Sequence, residues 1–566
     1  MIVVSVFALA LLIIDAGGIN LTPETRAKYR LDAINWIIVV IFVAEGFIKW
    51  GFEQFKLTYL KRHWVNFAFI FIFLLLLAVV GYASISTQAG KKLHLINISV
   101  ARSYIIIVRL YILGNLLLRV VSSGPRIARM NLPAAQIVAF SFLFVILSGT
   151  GLLLLPGATA SSEISFIDAL FTSTSGTCVT GLIVVDTGSY FSRFGQVVIL
   201  ILIQIGGLGL MTTTAFFLLI LGRGMSVKES VLMHDVLSSK TLARISYLII
   251  SILLLTLVFE IIGALSFYFS WSGESFEHGS AFYYSIFHSI SAFCNAGFSL
   301  FRNSFEFYKG SLAQNITLTS LIIIGGLGFT VIMNFFRFVI FKRERLSLQT
   351  KLVLAMTAVL IVIGTALVMV TEWNESLSGM PFFTRIMASY FQSVTTRTAG
   401  FNTINIGNLT NACYFLMMIL MFIGASPGST GGGIKTSTFG IFLGSIWSML
   451  KGRDSVEMFK RNVPRDTVNK ALSVIILAFM LLSIFGFVLL LTQEGNPVHI
   501  LFELVSAFGT VGLSAGITPH LTTLGKIVII MTMFIGRIGP LTLALAIGQR
   551  RASAAYEYPD EAVMIG

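Results

Sequence analysis

Four short glycine turns recur along the chain, and their chemistry would serve to bind a dehydrated cation. The turns read CVTGL, CNAGF, RTAGF and TVGLS, and their glycines, the four filter glycines, are Gly181, Gly297, Gly400 and Gly512. Glycine permits backbone conformations that point carbonyl groups toward a common axis. Rings of such carbonyls replace the hydration shell of a cation. No turn contains a carboxylate, which argues against a carboxylate-ring filter for divalent cations.

We expect the backbone around each filter glycine to bind the ion, mainly through carbonyl groups. One such match would be an ordinary turn, but four matches, each between an amphipathic segment and a long apolar helix, predict a four-fold cation pore. The predicted ion-binding residues are Thr177, Cys178, Val179, Thr180 and Gly181; Cys294, Asn295, Ala296 and Gly297; Arg397, Thr398, Ala399 and Gly400; and Thr510, Val511 and Gly512.

A second unusual stretch, IGASPGSTGGGIKTS at 423–437, interrupts what would otherwise be one apolar membrane helix. Pro427 lacks an amide donor and the glycines favour coil, so no continuous helix survives here. Broken backbone at bilayer depth is tolerated only where it is buried in protein or lines a water-filled cavity. The stretch therefore predicts the lining of a permeation path.

Each inner helix carries a short motif at a similar distance after its filter glycine. The motifs are IGGLG at 205–209 and at 324–328, IGASP at 423–427 and IGRIG at 535–539, which makes Gly207, Gly326, Ala425 and Arg537 equivalent. An ionisable group at such depth is costly and by default functional. We predict that Arg537 is a fixed positive charge that slows cations beneath the filter. The alternative is that Arg537 snorkels or pairs with a carboxylate.

The elements that position these residues are membrane helices. Of 566 residues, 56% are hydrophobic and 11% charged, more apolar surface than a soluble protein of this length can bury. Met1 leads directly into an apolar run, which we interpret as a first span rather than a removable signal. The net charge of +14 predicts positive cytoplasmic loops rather than nucleic-acid binding. We expect Cys178, Cys294 and Cys413 to be reduced packing residues.

The predicted fold class is an all-α polytopic membrane protein with an N-terminal four-helix bundle and four pore units. Each unit has an outer helix, a short re-entrant pore helix, a glycine turn and an inner helix. The outer helices are predicted at about 134–155, 245–270, 351–371 and 469–492, and the inner helices at about 194–221, 313–342, 411–450 and 523–548. The predicted boundaries are 1–121 for the bundle, 122–130 for a basic linker, 131–222, 223–342, 343–451 and 452–550 for the pore units, and 551–566 for a cytoplasmic tail. Basic loops between the units orient the glycine turns outward.

Together these motifs resemble the Trk/Ktr/HKT superfamily of potassium transporters, and within it the KtrB-like membrane subunit of Ktr systems. The resemblance covers about 131–550 and rests on TCVTGL, QIGGLGLMT, CNAGF, TTRTAGFN, GASPGSTGGGIKT and GRIGPLT. It implies four M1–P–M2 units and potassium uptake across a prokaryotic cytoplasmic membrane, with sodium as an activating or coupling ion in many members. It also implies a homodimer and a cytoplasmic nucleotide-binding ring of the RCK/KtrA kind. Neither an enzymatic activity nor an organic cofactor is expected.

The resemblance further identifies 423–437 as an intramembrane gating loop. Its glycines are expected to supply mobility, its hydroxyls to hydrate a passing ion, and its lysine to add a second positive charge. The residues assigned to gating are Gly424, Ala425, Ser426, Pro427, Gly428, Ser429, Thr430, Gly431, Gly432, Gly433, Lys435 and Arg537.

The first 121 residues resemble the S1–S4 module of voltage-gated channels in part. Phe42 and Glu45 have the spacing of the second sensor helix, and the fourth helix carries Arg102, Arg109 and Arg119. So few arginines predict weak voltage coupling, because each charge that crosses the membrane supplies only part of the gating energy. Both a degenerate sensor-like domain and a plain packing or dimer-contact module stay open.

Three rival functions need to be weighed against potassium uptake. A phosphate-binding loop is disfavoured because Ile434 rather than glycine precedes Lys435, and no soluble strand precedes the loop. A voltage-modulated cation channel and a non-conducting membrane sensor both stay open, since a pore signature does not decide how ions are conducted.

Overall fold

The computed structural model describes residues 134–160, 163–209, 245–274, 276, 279–341, 345–453, 455–540 and 542. The N-terminal bundle, the basic linker and the cytoplasmic tail therefore lie outside the described residues. The same holds for the sensor-like residues Phe42, Glu45, Arg102, Arg109 and Arg119.

The described chain is built from four successive pore units of helices. Unit one contains α1 (Ala134–Leu153), α2 (Phe166–Thr177), α3 (Thr187–Tyr190) and α4 (Arg193–Leu208), and unit two contains α5 (Ile245–Ser270), α6 (Ala281–Phe293), α7 (Leu312–Leu327) and α8 (Phe329–Phe341). Unit three contains α9 (Leu348–Thr371), α10 (Phe382–Thr395), α11 (Asn411–Phe422) and α12 (Thr436–Leu450), and unit four contains α13 (Arg465–Thr492), α14 (Pro497–Gly509) and α15 (Thr523–Ile538). Short 3₁₀ turns at Glu306–Tyr308, Ile406–Asn408 and Thr518–His520 precede the inner helices of units two, three and four.

The outer helices are apolar around most of their circumference, as a lipid-facing helix must be. Among the described residues, three single helices are long and apolar enough to cross a bilayer: Ile250–Ser270, Leu348–Thr371 and Arg465–Thr492. Their outward side chains are widely exposed, with Val370 at 76% and Phe487 at 66%. These helices form the wall of the molecule around the pore helices.

The pore helices α2, α6, α10 and α14 lie at the centre and are too short to span a membrane. They have 12 to 14 residues, about 20 Å of helix at 1.5 Å per residue. Serine caps begin two of them, because the Ser165 and Ser280 hydroxyls accept the backbone N–H groups of Asp168 and Tyr283. Their C-terminal halves are buried, which places the ends of all four in the protein core.

The inner helices differ from the prediction of continuous helices in units one, two and four. In unit two the segment predicted as one helix over 313–342 is divided into α7 and α8, bent by 101°. Gly328 lies at this break with φ +89°, a conformation that glycine adopts without strain. Gly209 and Gly539, with φ +81° and +93°, end α4 and α15 at the same place in their motifs. An interruption predicted for unit three alone is therefore present in units two and four, and the described inner helix of unit one ends at the same place in its motif.

A small antiparallel hairpin joins units three and four, where only a basic loop was predicted. Its strands are β1 (Val456–Met458) and β2 (Arg461–Val463), paired in register from Val456 with Val463 to Met458 with Arg461. Phe459 and Lys460 form the two-residue turn with positive φ angles, as twisted hairpins require.

Candidate ion-conduction site

The four filter glycines form a closed ring in chain order. All four have positive φ, from +70° at Gly297 to +92° at Gly181. A Cβ added to any of them would crowd the carbonyl oxygen just before the next filter glycine; these oxygens belong in turn to Ala296, Ala399, Val511 and Thr180. At Gly181 the separation would be 2.5 Å, well inside van der Waals contact. Glycine is therefore required at these four places, both for its backbone conformation and for the space.

The residue two before each filter glycine also has a left-handed backbone. These residues are Val179, Asn295, Thr398 and Thr510, with φ between +50° and +72°. Such conformations cost about 1 kcal/mol or more for non-glycine residues and persist only where the surroundings enforce them. The four pore helices end one to three residues before these positions, so their partially negative C-terminal ends face the turns and favour a cation.

Four hydroxyl groups tie the pore helices to the turns, and the sequence analysis missed them. The Ser175 and Ser506 hydroxyls accept the N–H groups of Gly181 and Gly512, at 3.0 and 3.1 Å. In the other two units, the Ser291 and Thr395 hydroxyls donate to the carbonyls of Phe298 and Phe401, at 2.8 and 2.6 Å. A serine or threonine stands five or six residues before every filter glycine, and this repeated spacing could have identified these hydroxyls from the sequence.

The inner helices pack against the ends of the pore helices through the first glycine of each motif. A Cβ on Gly206, Gly325 or Gly536 would collide with a carbonyl oxygen at the end of the pore helix of the same unit. Unit three differs, because a Cβ on Gly424 would collide with Gly432 of the gating loop instead. The motifs thus occupy corresponding positions in units one, two and four. In unit three, the gating loop rather than the end of the pore helix lies against the first glycine of the motif.

The gating loop, 423–437, lies between the inner helices of units two and four. Its N–H groups at Ser426 and Thr430 donate to the carbonyls of Gly326 and Gly325, at 3.1 and 3.3 Å. The Gly433 N–H donates to Gly536 at 3.3 Å, and the Gly432 N–H donates to the Thr510 hydroxyl at 2.9 Å. In return, the Gly428 carbonyl accepts the N–H of Phe329 at 3.0 Å, directly after the break in unit two.

Two filter residues lie against this loop. A Cβ on Gly431 would collide with the Thr398 hydroxyl, and one on Gly432 would lie 2.5 Å from the Thr510 hydroxyl. Thr398 and Thr510 each stand two residues before a filter glycine, on the side of the turn that joins the pore helix. The loop therefore packs directly against the inner side of the filter turns.

Arg537 bonds to the gating loop and to unit one at once. One guanidinium nitrogen donates to the carbonyl of Thr430, and the other donates to the carbonyl of Gly206. In the described part of the chain, the guanidinium thus bonds to backbone carbonyls rather than reaching for the membrane surface or a carboxylate. Arg537 therefore connects the inner helix of unit four directly to that of unit one and to the loop of unit three.

The polar side chains of the loop bond to other protein atoms in this conformation. Lys435 Nζ donates to the Gly431 carbonyl at 2.7 Å. The Ser429 hydroxyl donates to the Ser426 carbonyl at 2.6 Å, and the Thr430 hydroxyl donates to Phe293 at 3.3 Å. Ser426 shares a hydrogen bond of 3.0 Å with the Thr436 hydroxyl. These groups hold the loop in shape here, and their contact with a passing ion stays a prediction.

Two side chains of the predicted filter residues reach neighbouring helices. Arg397 reaches the outer helix α9, where its Nη2 donates to the Thr357 hydroxyl at 3.2 Å. Cys294 packs against Gly207 and lies 3.6 Å from the Gln204 amide oxygen. Cys178, Cys294 and Cys413 are free and buried, as reduced packing residues would be. The side chains of Arg397 and Cys294 therefore contact the surrounding helices.

Comparisons with known proteins agree with this architecture. Residues 110–557 match the family model described as TrkH, cation transport protein. The chain is 40% identical over 439 residues to Ktr system potassium uptake protein B of Bacillus subtilis (strain 168), covering 76% of this chain and 96% of the relative. It is 39% identical over 433 residues to the protein of the same name from Vibrio alginolyticus, covering 76% and 94%. It is 37% identical over 446 residues to potassium/sodium uptake protein NtpJ of Enterococcus hirae, covering 77% and 98%.

A solved structure shares the fold. The crystal structure of the potassium transporter TrkH from Vibrio parahaemolyticus superposes with a TM-score of 0.60 at 17% identity, covering 86% of this chain and 98% of that one. The family match extends over most of the chain and includes all four pore units. The chain therefore belongs to the TrkH family of cation transport proteins.

Proposed function

We propose that this protein takes up potassium across the cytoplasmic membrane of a prokaryote through the ring of four filter glycines. The observation that carries the proposal is the closed ring itself, in which each glycine leaves room for a carbonyl of the next unit. The relatives named as potassium uptake proteins support potassium as the cargo. The name of NtpJ, a potassium/sodium uptake protein, supports sodium as a second ion that influences transport.

In this mechanism the filter carbonyls take over from the water that a cation leaves outside. Backbone oxygens are neutral dipoles, so they compensate the loss of hydration of a monovalent cation without trapping it as a carboxylate ring would. The C-terminal ends of the four pore helices add a negative potential at the same place. The hydroxyls of Ser175, Ser291, Thr395 and Ser506 keep each turn attached to its pore helix.

We further propose that the gating loop closes the path on the inner side of the filter. An ion that leaves the filter inward meets backbone that is bonded to units two and four and to Arg537. Passage then requires the loop to move and to exchange these hydrogen bonds for water. The glycines of the loop lower the conformational cost of that movement, and Arg537 opposes it by bonding to Thr430.

The assembly proposed from the family resemblance has two copies of this chain and a cytoplasmic regulatory ring. The Ktr system names of two relatives imply further components of such a system. A ring of the RCK/KtrA kind that binds nucleotides would supply the force that displaces the gating loop.

Potassium uptake in cells that lack other uptake systems tests the proposal. We expect growth at low potassium and uptake of the ion, measured with and without sodium. Gly181→Ser should reduce the preference for potassium over sodium, because it places a side chain where the Ala296 carbonyl lies. Correctly inserted wild-type protein that moves no potassium under any condition would refute the proposal and favour a non-conducting sensor.

A further inference from the structure

A polar contact just outside the filter recurs in the described structure of units two, three and four. In unit four, Glu503 of α14 lies nine residues before its filter glycine and is 1% exposed. Its carboxylate accepts hydrogen bonds from the Ser514 hydroxyl, from the Ala515 N–H at 3.0 Å and from the Thr518 hydroxyl at 2.9 Å. Ser514 and Ala515 are the second and third residues after Gly512, so Glu503 fixes the segment that leaves the filter.

In unit two, His288 makes the corresponding contact with a different side chain. The N–H of Leu300 donates to its Nε2 at 3.2 Å, and the Ser299 hydroxyl lies 3.1 Å from the same atom. Since Nε2 accepts a hydrogen bond, the proton of the neutral imidazole is on Nδ1, which donates to the Tyr284 carbonyl at 2.8 Å. The ring is fully buried and stacks on Phe301 with centroids 4.8 Å apart.

The register of the pore helices shows that these positions are equivalent. His288 directly precedes Ser289, and in units one and three Thr172 and Gln392 directly precede Ser173 and Ser393. These three serines each donate to the outer helix of their own unit, to the carbonyls of Ile146, Glu260 and Ile361. Each of the three serines also faces a glycine of that outer helix, at Gly149, Gly263 and Gly364, and in unit four Gly486 faces Leu504, directly after Glu503.

Unit three makes a related contact through an amide, to a side chain rather than to a backbone N–H. Gln392 Nε2 donates to the hydroxyl of Thr403 at 3.5 Å, and Thr403 is the third residue after its filter glycine. In unit one, the segment after the filter is apolar, and Leu182 and Val184 are buried in a hydrophobic cluster. Glutamate, histidine and glutamine thus occupy equivalent positions in three units. Their side chains have in common a similar length and the ability to form hydrogen bonds, but not a charge. We call His288, Gln392 and Glu503 the outer brace.

We propose that the outer brace sets the preference of the pore for potassium over sodium by fixing the outer ends of the filter turns. The inference rests on the proposed uptake of potassium. A smaller ion requires the carbonyls to move closer together, and a filter turn anchored at its glycine and again a few residues beyond it resists that movement. The first anchors are the four hydroxyls described above, which bond to the filter glycine or to the residue directly after it. The outer brace supplies a second anchor, two or three residues beyond the filter glycine. Its members are positioning residues, because they act through the filter backbone.

Leucine and glutamine variants separate the brace from its charge. Glu503→Leu and His288→Leu remove the hydrogen bonds, and we expect the ratio of potassium to sodium uptake to fall about tenfold, with a raised KM for potassium and a retained maximal rate. Glu503→Gln and His288→Gln keep the hydrogen bonds, as Gln392 does in unit three, and should stay within about twofold of the wild type. At position 503 the amide would donate to Thr518, whose hydroxyl lies 3.0 Å from Ser514 and can donate in turn.

Glu372 provides a matched control, because it is a buried carboxylate that is not attached to a filter turn. It accepts the Thr410 N–H and hydroxyl at 3.0 and 2.7 Å and is 0% exposed. Glu372→Leu should lower the thermal stability of the purified protein without changing the ratio of potassium to sodium uptake. If a leucine variant does not fold, the double variant Ser514→Ala with Thr518→Val removes two donors to Glu503 and should still lower the ratio.

Each outcome bears on the proposal. Leucine variants or the double variant that keep the wild-type ratio would overturn it, because the filter would then need no outer anchor. A Glu503→Gln ratio as low as that of Glu503→Leu would also overturn it, since the carboxylate charge would then act on the ion directly. Wild-type protein that takes up no potassium would instead refute the proposed function, so the two failures are distinguishable.

Discussion

Arg537→Ala is the sharpest test of the gate. The substitution removes two hydrogen bonds that a guanidinium donates to backbone carbonyls, one to Thr430 in the gating loop and one to Gly206 in unit one. A hydrogen bond that involves a charged group contributes about 1.5–3 kcal/mol. Water can enter the space that the side chain leaves and recover part of this hydrogen-bond energy. We therefore take the lower limit for each bond, which gives about 3 kcal/mol for the two hydrogen bonds together.

That loss has a direct effect on basal flux. Each 1.4 kcal/mol corresponds to a factor of ten in an equilibrium, so the closed conformation should lose about a hundredfold of its population relative to the open one. Basal potassium flux through Arg537→Ala should rise by up to this factor, measured in vesicles that contain purified protein without any regulatory partner. Arg537→Lys, which keeps the charge and only part of the bonding, should fall between the alanine variant and the wild type.

The same helix offers a matched control. Lys526, also on α15, forms an ion pair of 2.6 Å with Asp168 far from the loop, and Lys526→Ala should leave basal flux unchanged. Deletion of 428–433 should raise basal flux as Arg537→Ala does, because it removes the loop itself. Unchanged or lower flux in well-folded Arg537→Ala protein would refute the assignment of Arg537 and the loop to the gate.

Three further predictions concern the filter and the N-terminal region. Gly400→Ala should abolish potassium uptake in whole cells, because its Cβ would lie 2.5 Å from the carbonyl of the next turn, whereas Gly516→Ala, also at positive φ but in open space, should retain it. Ser506→Ala leaves the buried N–H of Gly512 without its acceptor and should lower the free energy of unfolding by about 1–3 kcal/mol; a thermal melt of purified protein that matches the wild type would contradict this. Deletion of 1–121 should alter regulation and spare selectivity in electrical recordings, and an ohmic current through the intact protein would count against voltage sensing.

The outer helices were predictable from composition, because a lipid-facing helix needs only a long apolar run. The prediction of 245–270 agrees with α5, Ile245–Ser270. The filter glycines were predictable because four turns in one chain have to satisfy the same backbone requirement, and all four have positive φ. Local chemistry determines both features, so the sequence pattern carries them.

The break at Gly328 could not be predicted in the same way, because its partner is distant in the chain. The glycines of IGGLG do not by themselves end an apolar helix. At the break, the Phe329 N–H donates to the carbonyl of Gly428 in the loop of unit three, about 100 residues away in the chain. The outer brace was missed for a related reason: His288, Gln392 and Glu503 share no residue type, and only the register against the outer helices makes them equivalent. Alignment of the four units by filter glycine alone misplaces Gln392 by one residue.

The single arginine beneath the filter has a consequence for how such a pore can be made. In a pore assembled from four identical subunits, every residue near the axis appears four times, and an arginine there would place four positive charges around the ion path. Fusion of the units into one chain allows position 537 to be arginine while its counterparts are Gly207, Gly326 and Ala425. One guanidinium can then bond to one loop of different sequence in a neighbouring unit, an unequal contact that four identical subunits could not form, and the proposed gate depends on it.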